Sequence, residues 1–313
     1  MANFEIIKCH GSGNDFIMVD TTRLDGSHTI DWSAFARIAC DRKSGIGSDG
    51  VLLVVRNSEG IYGMDMLNPD GTHAEMCGNG IRCVARLAQE RGYLEGGRLT
   101  SGGRLFSARS AEPIAAGVET FSVDIPIATW SESFALFSSE ERFVGRVIES
   151  LDGELRFTAL NLGNPHIVAA VERIDMSLLE QLGERVKGLK GEFPHGVNVS
   201  MYEVLSPRSI FVATYERGAG ITLSCGTAMT ASATAATLLG YVDRGERIEV
   251  FNRGGMVACR TEITDKIVTT LEGNATFEWV GEAHFNGEDF AYSILRKSGE
   301  AELWSRFVES LNR

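Results

Sequence analysis

The sequence predicts an α+β fold of two pseudo-symmetric domains, each a mostly antiparallel sheet or partial barrel wrapped around a central helix, with a cleft between them as the candidate site. Two observations carry this prediction. The segment around Cys77 recurs around Cys225, 148 residues later (225 − 77), and the match continues without a gap as far as Tyr93 and Tyr241. In addition, each half is rich in short strand patterns and contains one long helix pattern.

In the first half, short strand patterns surround the candidate helices. Residues 32–40 have apolar side chains at helical spacing. A second helix is predicted to open at residues 77–80 and to be capped at its C-terminus by Gly92, a residue type that often follows a helix. Strands are predicted at residues 4–7, 16–19, 50–55, 62–67, 98–100 and 104–106.

The second half repeats this plan. Residues 176–186 are predicted to be helical, and a longer helix is predicted from Cys225 to Leu239, ended by Gly240. Strands are predicted at residues 159–162, 167–171, 197–202, 209–215 and 248–251.

We predict three segments along the chain. Residues 1–127 form the half that carries Cys77, and residues 128–280 form the half that carries Cys225, with a linker at 126–131. Residues 281–313 are predicted to form a C-terminal strand and a helical tail that returns to the N-terminal half. Within this tail, residues 289–313 are predicted to form one or two short helices.

Composition excludes several function classes. The 313 residues are 43% apolar and carry a net charge of −12, which disfavours a nucleic-acid partner because no basic tract is present. No apolar run reaches the ~20 residues that a membrane span needs, and the N-terminus does not resemble a secretory signal. We therefore expect a cytoplasmic protein with cysteines kept as thiols. The cysteine spacing also disfavours a structural zinc site, since no Cys-x-x-Cys pair occurs.

Cys77 and Cys225 are the candidate catalytic residues. Each precedes a glycine at the start of a predicted helix, where free N–H groups and the helix dipole are expected to lower the pKa of a thiol. The same N–H groups can bind a carboxylate. A matched pair of thiols suits removal of a proton from one face of a carbon and its return to the other. The alternative interpretation of each cysteine is a buried core thiol.

A set of polar residues accompanies the cysteines. Four asparagines follow or end predicted strands, and each has an alternative interpretation as a turn residue that caps its own backbone. Glu216 and Arg217 are adjacent before a glycine, which fits either a solvated pair or a grip on the amino and carboxylate groups of a zwitterionic ligand. The four asparagines are Asn14, Asn68, Asn164 and Asn198.

The sequence resembles the diaminopimelate epimerase family of cofactor-independent, two-cysteine amino-acid epimerases and racemases. The resemblance runs in order from about residue 5 to about residue 280, and the context of the two cysteines is its most specific part. It implies the two-domain fold described above and no cofactor. The matching motifs lie at residues 10–16, 41–50, 68–72, 76–83, 163–166, 197–199, 216–218 and 225–227.

The resemblance also implies an activity and roles for individual residues. The implied reaction converts L,L-diaminopimelate to the meso form in lysine and peptidoglycan-precursor biosynthesis, with Cys77 and Cys225 as the acid–base pair. The implied partner is a small-molecule amino acid, and a homodimer is left open. The substrate's distal end would be held by Asn68, Asn164, Asn198 and Arg217, with Glu216 on its amino group. The site would be lined by Asn14 and His166, and N–H groups for the reacting carboxylate would come from Gly78, Asn79, Gly226 and Thr227.

Three departures from the family pattern and two rival functions remain. The tail past about residue 286 has no counterpart in shorter members of the family. Ala228 stands where the family usually has glycine, and Ile221 stands where many members carry glutamate. The nearest rival is a racemase of another amino acid, such as histidine, on the same scaffold. A thiol-disulfide redox protein is the rival of a different class, but it leaves the asparagines, Glu216 and Arg217 without a role.

Overall fold

The computed structural model describes residues 2–26, 29–74, 76–127, 134 and 142–311. The chain divides into two compact units. Unit 1 comprises Met1–Val123 and Gly273–Arg313, and unit 2 comprises Asp124–Glu272. The sequence-based division placed its boundaries after residues 127 and 280. Most of the linker predicted at residues 126–131 lies outside the described residues.

Strands make up most of the regular structure in the described ranges. The strands are β1 (Ala2–Gly11), β2 (Asn14–Asp20), β3 (Val51–Arg56), β4 (Tyr62–Leu67), β5 (Arg98–Ser101), β6 (Arg104–Ala111), β7 (Thr120–Pro126), β8 (Arg146–Ile148), β9 (Asp152–Asn161), β10 (Pro165–Ala170), β11 (Asn198–Ser206), β12 (Ser209–Glu216), β13 (Gly220–Thr222), β14 (Ile248–Asn252), β15 (Gly255–Ile263), β16 (Ile267–Asn274), β17 (Thr276–Phe285) and β18 (Phe290–Lys297). The α-helices are α1 (Trp32–Ala39), α2 (Gly78–Glu90), α3 (Met176–Val186), α4 (Gly226–Leu238) and α5 (Glu300–Leu311).

Strand pairing follows one pattern in both units. In unit 1, β1 to β6 pair consecutively, and the pairs alternate between antiparallel and parallel, beginning with antiparallel β1–β2. In unit 2, strands β9, β10, β11, β12, β14 and β15 show the same alternation. This shared topology confirms the predicted α+β class with two related halves.

One long helix packs inside the sheet of each unit. Helix α2 contacts β1, β2, β3, β4 and β6, and α4 contacts β10, β11, β12, β14 and β15. Residues 78–88 of α2 and 226–237 of α4 are buried, which explains why neither helix has a wide polar face. The prediction of a central helix in each half is therefore confirmed. None of the helices in the described ranges is long and apolar enough to cross a membrane.

Small and hydroxyl-bearing residues allow α4 to be buried on all sides. Its threonine hydroxyls donate hydrogen bonds to carbonyls one turn earlier, at 2.8 Å for Thr230 to Gly226 and 2.8 Å for Thr234 to Thr230. The Thr234 hydroxyl also lies 2.7 Å from that of Thr269 in β16. These threonine hydroxyls therefore have partners inside the unit, whereas the buried Ser232 hydroxyl of the same helix has none among the described residues.

The C-terminal tail corrects one expectation. Residues 289–313 were predicted to form one or two short helices, but Phe290–Lys297 is strand β18, paired antiparallel with β17. Phe290 and Tyr292 stack at a ring-centroid distance of 5.9 Å, and Tyr292 also stacks on Trp279 of β17. The Tyr292–Trp279 contact joins β18 to β17, and such a cross-strand aromatic pair favours the strand. The remainder of the tail, Glu300–Leu311, is helical as predicted.

Candidate active site

In unit 1, Cys77 is the N-cap residue of α2. Its backbone is extended (φ −135°, ψ 112°), and its Sγ atom accepts a hydrogen bond from the Gly80 N–H at 3.3 Å. Gly80 is closely packed, since an added Cβ would lie 2.8 Å from the Leu52 side chain and 3.2 Å from that of Met64, and these side chains would have to shift. The tight packing of Gly80 thus holds an N–H donor against the sulfur, a contact that favours the thiolate.

Asn14 and Asn79 lie beside the Cys77 thiol. The Asn14 Oδ1 atom accepts a hydrogen bond from Asn79 Nδ2 at 3.2 Å and lies 3.7 Å from Cys77 Sγ. The other end of the Asn14 amide donates to Asp49 Oδ2 at 2.8 Å. Because a carboxylate only accepts, Asp49 fixes the orientation of the Asn14 amide and directs its oxygen towards the thiol.

Arg82 fixes the Asn79 amide from the opposite side. Its side chain is fully buried and donates to Asn79 Oδ1 and to the Gly78 carbonyl, both at 3.0 Å. It also donates to the Asn274 carbonyl at 3.2 Å. Arg82 and Asp49 were not among the predicted site residues. Both lie inside motifs that carried the family resemblance. The sequence signal that could have identified Arg82 is an arginine on the buried face of a predicted helix.

Among the described residues, Asn68 makes no hydrogen bond to Asn14, Cys77 or Asn79. It follows β4, and its Nδ2 atom donates to Thr72 Oγ1 at 3.0 Å within the turn that ends that strand. Its backbone N–H bonds the Thr72 carbonyl at 2.8 Å. In this structure Asn68 therefore makes the contacts expected of a turn residue.

In unit 2, Cys225 is the N-cap residue of α4, the position equivalent to Cys77 in α2. It is buried, with an extended backbone (φ −124°, ψ 105°). Burial and the nearby Glu216 carboxylate raise the pKa of the Cys225 thiol well above its usual range, although the Thr227 hydroxyl opposes them. The expectation of a lowered thiol pKa is therefore wrong for Cys225, because desolvation and a like charge outweigh the helix N-terminus.

His166, Asn164 and Thr227 form a directed chain of hydrogen bonds that ends at the Cys225 sulfur. His166 Nε2 lies 2.9 Å from Asn164 Oδ1, Asn164 Nδ2 donates to Thr227 Oγ1 at 3.2 Å, and Thr227 Oγ1 lies 3.5 Å from Cys225 Sγ. The amide oxygen only accepts, so the His166 proton is on Nε2. The amide group donates to the Thr227 oxygen, which leaves the hydroxyl proton free to point at sulfur.

Burial keeps His166 neutral. The side chain is fully buried, and desolvation together with the positive charge of Arg217 lowers the pKa of His166 to about 3. A neutral imidazole with its proton on Nε2 holds the Asn164 amide in one orientation. His166 thus orients the chain of hydrogen bonds and carries no charge of its own at neutral pH.

Asn198, Glu216 and Arg217 complete the group in unit 2. Buried Asn198 accepts from the Arg217 backbone N–H at 2.8 Å and donates to the Pro165 carbonyl at 3.2 Å. The Arg217 guanidinium donates to the His195 carbonyl at 2.6 Å, and its side chain is exposed. Glu216 accepts from the Thr222 hydroxyl. Asn198 therefore links the His166 strand to the acid and base at the end of β12.

The structure sorts the predicted site residues into two groups, one in each unit. The predicted residues that come together in unit 1 are Asn14, Cys77, Gly78 and Asn79. Those that come together in unit 2 are Asn164, His166, Asn198, Glu216, Arg217, Cys225, Gly226 and Thr227.

Two of the departures from the family pattern, Ala228 and Ile221, lie in unit 2. Ala228 is fully buried in the first turn of α4, at the position equivalent to Gly80 in α2. Ile221 is partly buried and packs against the main apolar cluster of the unit, which includes Tyr215. Both side chains therefore contribute to packing near Cys225 and Glu216.

Solved structures show where this fold occurs. A hydroxyproline epimerase from Agrobacterium vitis, with bound trans-4-hydroxy-L-proline, matches 90% of this chain and 92% of its own, with a TM-score of 0.60 and 16% identity. A probable proline racemase from Agrobacterium radiobacter matches 91% of this chain and 94% of its own, with a TM-score of 0.62 and 14% identity. At these identities the likeness establishes the fold alone.

Curated relatives are similar along almost the whole chain. The diaminopimelate epimerase of Clostridium acetobutylicum is 33% identical, over 99% of this chain and 95% of its own. Those of Listeria monocytogenes and Ligilactobacillus salivarius are each 34% identical over 99% of this chain and cover 98% and 100% of their own. The model of the diaminopimelate epimerase family matches residues 6–105 and 158–278. These matches confirm the resemblance seen in the sequence, and the chain belongs to the diaminopimelate epimerase family.

Proposed function

We propose that this chain interconverts L,L-diaminopimelate and meso-diaminopimelate, an isomerisation that serves lysine and peptidoglycan-precursor biosynthesis. Family membership and full-length similarity to relatives named diaminopimelate epimerase support the substrate. The observation that carries the chemistry is the equivalent placement of Cys77 and Cys225, each the N-cap residue of the central helix of its unit.

The two thiols exchange one proton each with the same α-carbon. One cysteine, as thiolate, removes the α-proton and becomes a thiol, and the electron pair is left on the substrate as a carbanion. The other cysteine, as thiol, delivers a proton to the opposite face and becomes a thiolate. One proton is removed and one is delivered in each turnover, so no net proton is gained or lost. The reverse reaction exchanges the roles of the two cysteines.

The starting protonation states follow from the local contacts. The raised pKa of Cys225 and its contact with the Glu216 carboxylate keep that residue a thiol in the ligand-free protein. At Cys77 the Gly80 N–H favours a thiolate, whereas the Asn14 oxygen, 3.7 Å from the sulfur, accepts from the thiol. Because Cys225 is held as the thiol, we assign Cys225 as the acid and Cys77 as the base in the first turnover of the free enzyme.

The two helix N-termini supply the donors for the reacting carboxylate. Gly78 and Asn79 open α2, and Gly226 and Thr227 open α4, so all four N–H groups belong to first helical turns that have no intrahelical partner for them. Such groups bind anions, and they stabilise the negative charge that moves onto the carboxylate as the α-proton leaves.

The distal amino-acid group is assigned to the asparagines and the Glu216–Arg217 pair. Glu216 is suited to the distal ammonium and Arg217 to the distal carboxylate, because guanidinium and carboxylate pair through two parallel hydrogen bonds. Asn164 and Asn198 lie in the same group, and Asn68 follows β4 of unit 1. In a substrate with two amino-acid heads, the helix N-termini would bind the reacting head, and the asparagines with Glu216 and Arg217 would bind the distal head.

The cysteines also bear on location. All six are free thiols, at Cys9, Cys40, Cys77, Cys83, Cys225 and Cys259. Reduced thiols are the usual state in a cytoplasmic compartment. An epimerase whose two essential groups are thiols needs such a compartment, which supports a cytoplasmic location.

A panel of amino acids in heavy water tests the proposed substrate. L,L-diaminopimelate, meso-diaminopimelate, L-histidine and L-lysine are incubated with the protein, and loss of each α-proton is followed by NMR. We expect exchange and inversion with both diaminopimelates and at least 100-fold slower exchange with histidine and lysine, which lack the distal amino-acid head. Faster exchange of histidine would replace the assignment with the racemase alternative.

A further inference from the structure

The C-terminal helix α5 is anchored to the central helix of unit 1. The Glu300 carboxylate forms a two-pronged ion pair with Arg86 of α2, with Nη1–Oε2 at 2.6 Å and Nη2–Oε1 at 2.8 Å. Arg86 is 8% exposed, donates to the Ala275 carbonyl at 2.8 Å and lies 4.0 Å over the Phe277 ring. Arg86 is one helical turn beyond Arg82, which orients Asn79. The ion pair thus connects α5 to the helix that begins after Cys77.

A second contact connects α5 to the turn that carries Asn14. Trp304 is 4% exposed and packs against Ala115 and Val118. Its ring lies 6.0 Å from the imidazole of His10, measured between centroids. His10 is the penultimate residue of β1, and the turn that follows it leads directly to Asn14 at the start of β2. The Trp304 indole therefore covers one side of His10, the residue that precedes this turn.

His10 in turn holds the turn through its Nδ1 atom. The Gly13 N–H donates to Nδ1 at 3.4 Å, and the Asn274 Nδ2 group lies 3.2 Å from the same atom. Asn274 Oδ1 accepts from the Ser12 N–H at 2.7 Å, and Ser12 has a positive φ of 53°. Two donors converge on Nδ1, so this atom must be an unprotonated acceptor. The geometry of the turn therefore depends on a buried imidazole in one tautomer.

We propose that α5 is a positioning element for the candidate site: Trp304 keeps His10 buried against the turn that places Asn14, and Glu300 holds α2, which places Cys77 and Asn79. This inference rests on the proposed function, since it assigns a role to residues that support the groups beside the Cys77 thiol. Trp304 and Glu300 act through other residues and do not themselves act on the substrate.

The environment of His10 supplies a readout that is independent of catalysis. Burial is the main cause that lowers the pKa of His10 to about 4. The Asp15 carboxylate of β2 opposes the shift, and the cations of Lys8 in β1 and Arg82 in α2 add to it. Removal of the indole admits water, so the pKa of His10 rises towards the unperturbed value of about 6.5. Protonation at Nδ1 then removes the acceptor of the bonds from Gly13 and Asn274.

The test compares Trp304→Ala, Trp304→Phe and Glu300→Gln with Arg306→Ala, an exposed substitution on the same helix. The His10 resonance, identified by its absence in His10→Gln, is titrated by NMR without substrate. We expect the pKa of His10 to rise by at least one unit in Trp304→Ala and to stay near the native value in Trp304→Phe and Arg306→Ala. We expect kcat to fall about 10- to 100-fold in Trp304→Ala, with a further loss below pH 6.5.

Glu300→Gln keeps the shape of the side chain and removes its charge, so it tests the second anchor in a protein that retains the indole. We expect kcat to fall several-fold with KM little changed. If Trp304→Ala does not fold, a native kcat in Glu300→Gln overturns the inference. If Trp304→Ala folds, an unchanged His10 titration together with an unchanged pH profile of kcat overturns the inference. Because the titration needs no substrate, absence of epimerase activity in the native protein would count against the proposed function alone.

Discussion

The Asn14 Oδ1 atom lies 3.7 Å from the Cys77 sulfur, and the Asp49 carboxylate determines which way that oxygen points. Asp49 also accepts from the Asp15 backbone N–H at 3.1 Å and from Arg42 at 2.7 Å. Its own position is therefore fixed by three donors. This arrangement sets the orientation of an amide beside the proposed catalytic thiol.

The first prediction concerns Asp49. In Asp49→Ala the Asn14 amide loses the acceptor that orients it, so we expect kcat/KM for L,L-diaminopimelate to fall about tenfold, equivalent to ~1.4 kcal/mol. Asp49→Asn retains an acceptor oxygen and should lose much less. Glu59→Ala, in an exposed turn, is the matched control. Equal activity of Asp49→Ala and Glu59→Ala would show that the amide orientation is unimportant.

The second prediction concerns the Cys225 thiol and Glu216. Burial and, after it, the Glu216 carboxylate raise the pKa of Cys225, so Glu216→Gln should lower this pKa and speed alkylation of Cys225 at pH 7–8, while epimerisation slows. Alkylation of the Cys225 peptide is followed by mass spectrometry in a Cys77→Ser background. Glu180→Gln, an exposed substitution on α3, is the control. Slower or unchanged alkylation in Glu216→Gln would contradict the assigned cause of the raised pKa.

The third prediction concerns the pH dependence of stability. The pKa of His166 is lowered to about 3 in the folded protein, whereas the unfolded chain binds the proton near pH 6.5. The unfolded state therefore binds more protons between these values, and the free energy of unfolding should fall as the pH decreases from 6.5. At pH 5 the loss from His166 alone is about 2 kcal/mol.

Urea unfolding at pH 7.5 and pH 5 measures this loss. The decrease in unfolding free energy between the two pH values should be smaller by about 2 kcal/mol in His166→Gln than in the native protein. Comparing each protein with itself removes the effect of the substitution on stability at neutral pH. His73→Gln, an exposed position, is the control and should keep the native decrease. An equal decrease in all three proteins would contradict a neutral, buried His166.

The fold was largely predictable because its strongest signals are local. The cysteine–glycine pairs predicted helix starts at Cys77 and Cys225, and the structure begins the helices one residue later, at Gly78 and Gly226. The duplication then implied that both helices occupy equivalent positions, and the matching strand topology confirms this. The error in the tail arose because β18 depends on β17 for its pairing, a contact that the segment itself does not encode.

Most of the predicted site residues come together in two hydrogen-bonded groups, but the contacts that support these groups could not be predicted. Asp49 lies 35 residues from Asn14, and Asn274 lies 192 residues from Arg82, so sequence spacing gave no indication that these pairs are hydrogen-bonded. The pKa of Cys225 was mispredicted for a related reason. A helix N-terminus is a local feature, whereas the burial that outweighs it depends on the whole unit.

The requirement for both thiols is the central claim, and single alanine variants test it. Cys77→Ala and Cys225→Ala each remove the group that serves one face of the α-carbon. Loss of general acid–base help typically costs about 10²–10⁴-fold. Cys259→Ala removes a buried thiol of β15 that has no proposed role in the reaction and serves as the control.

The most direct measurement is conversion of L,L-diaminopimelate to the meso form by each variant in heavy water, with inversion followed by chiral chromatography and α-deuteration by NMR. We predict native conversion by Cys259→Ala, with deuterium at the inverted carbon, and at least 100-fold slower inversion by both Cys77→Ala and Cys225→Ala. Inversion at the native rate by either of these two variants would contradict the two-thiol mechanism.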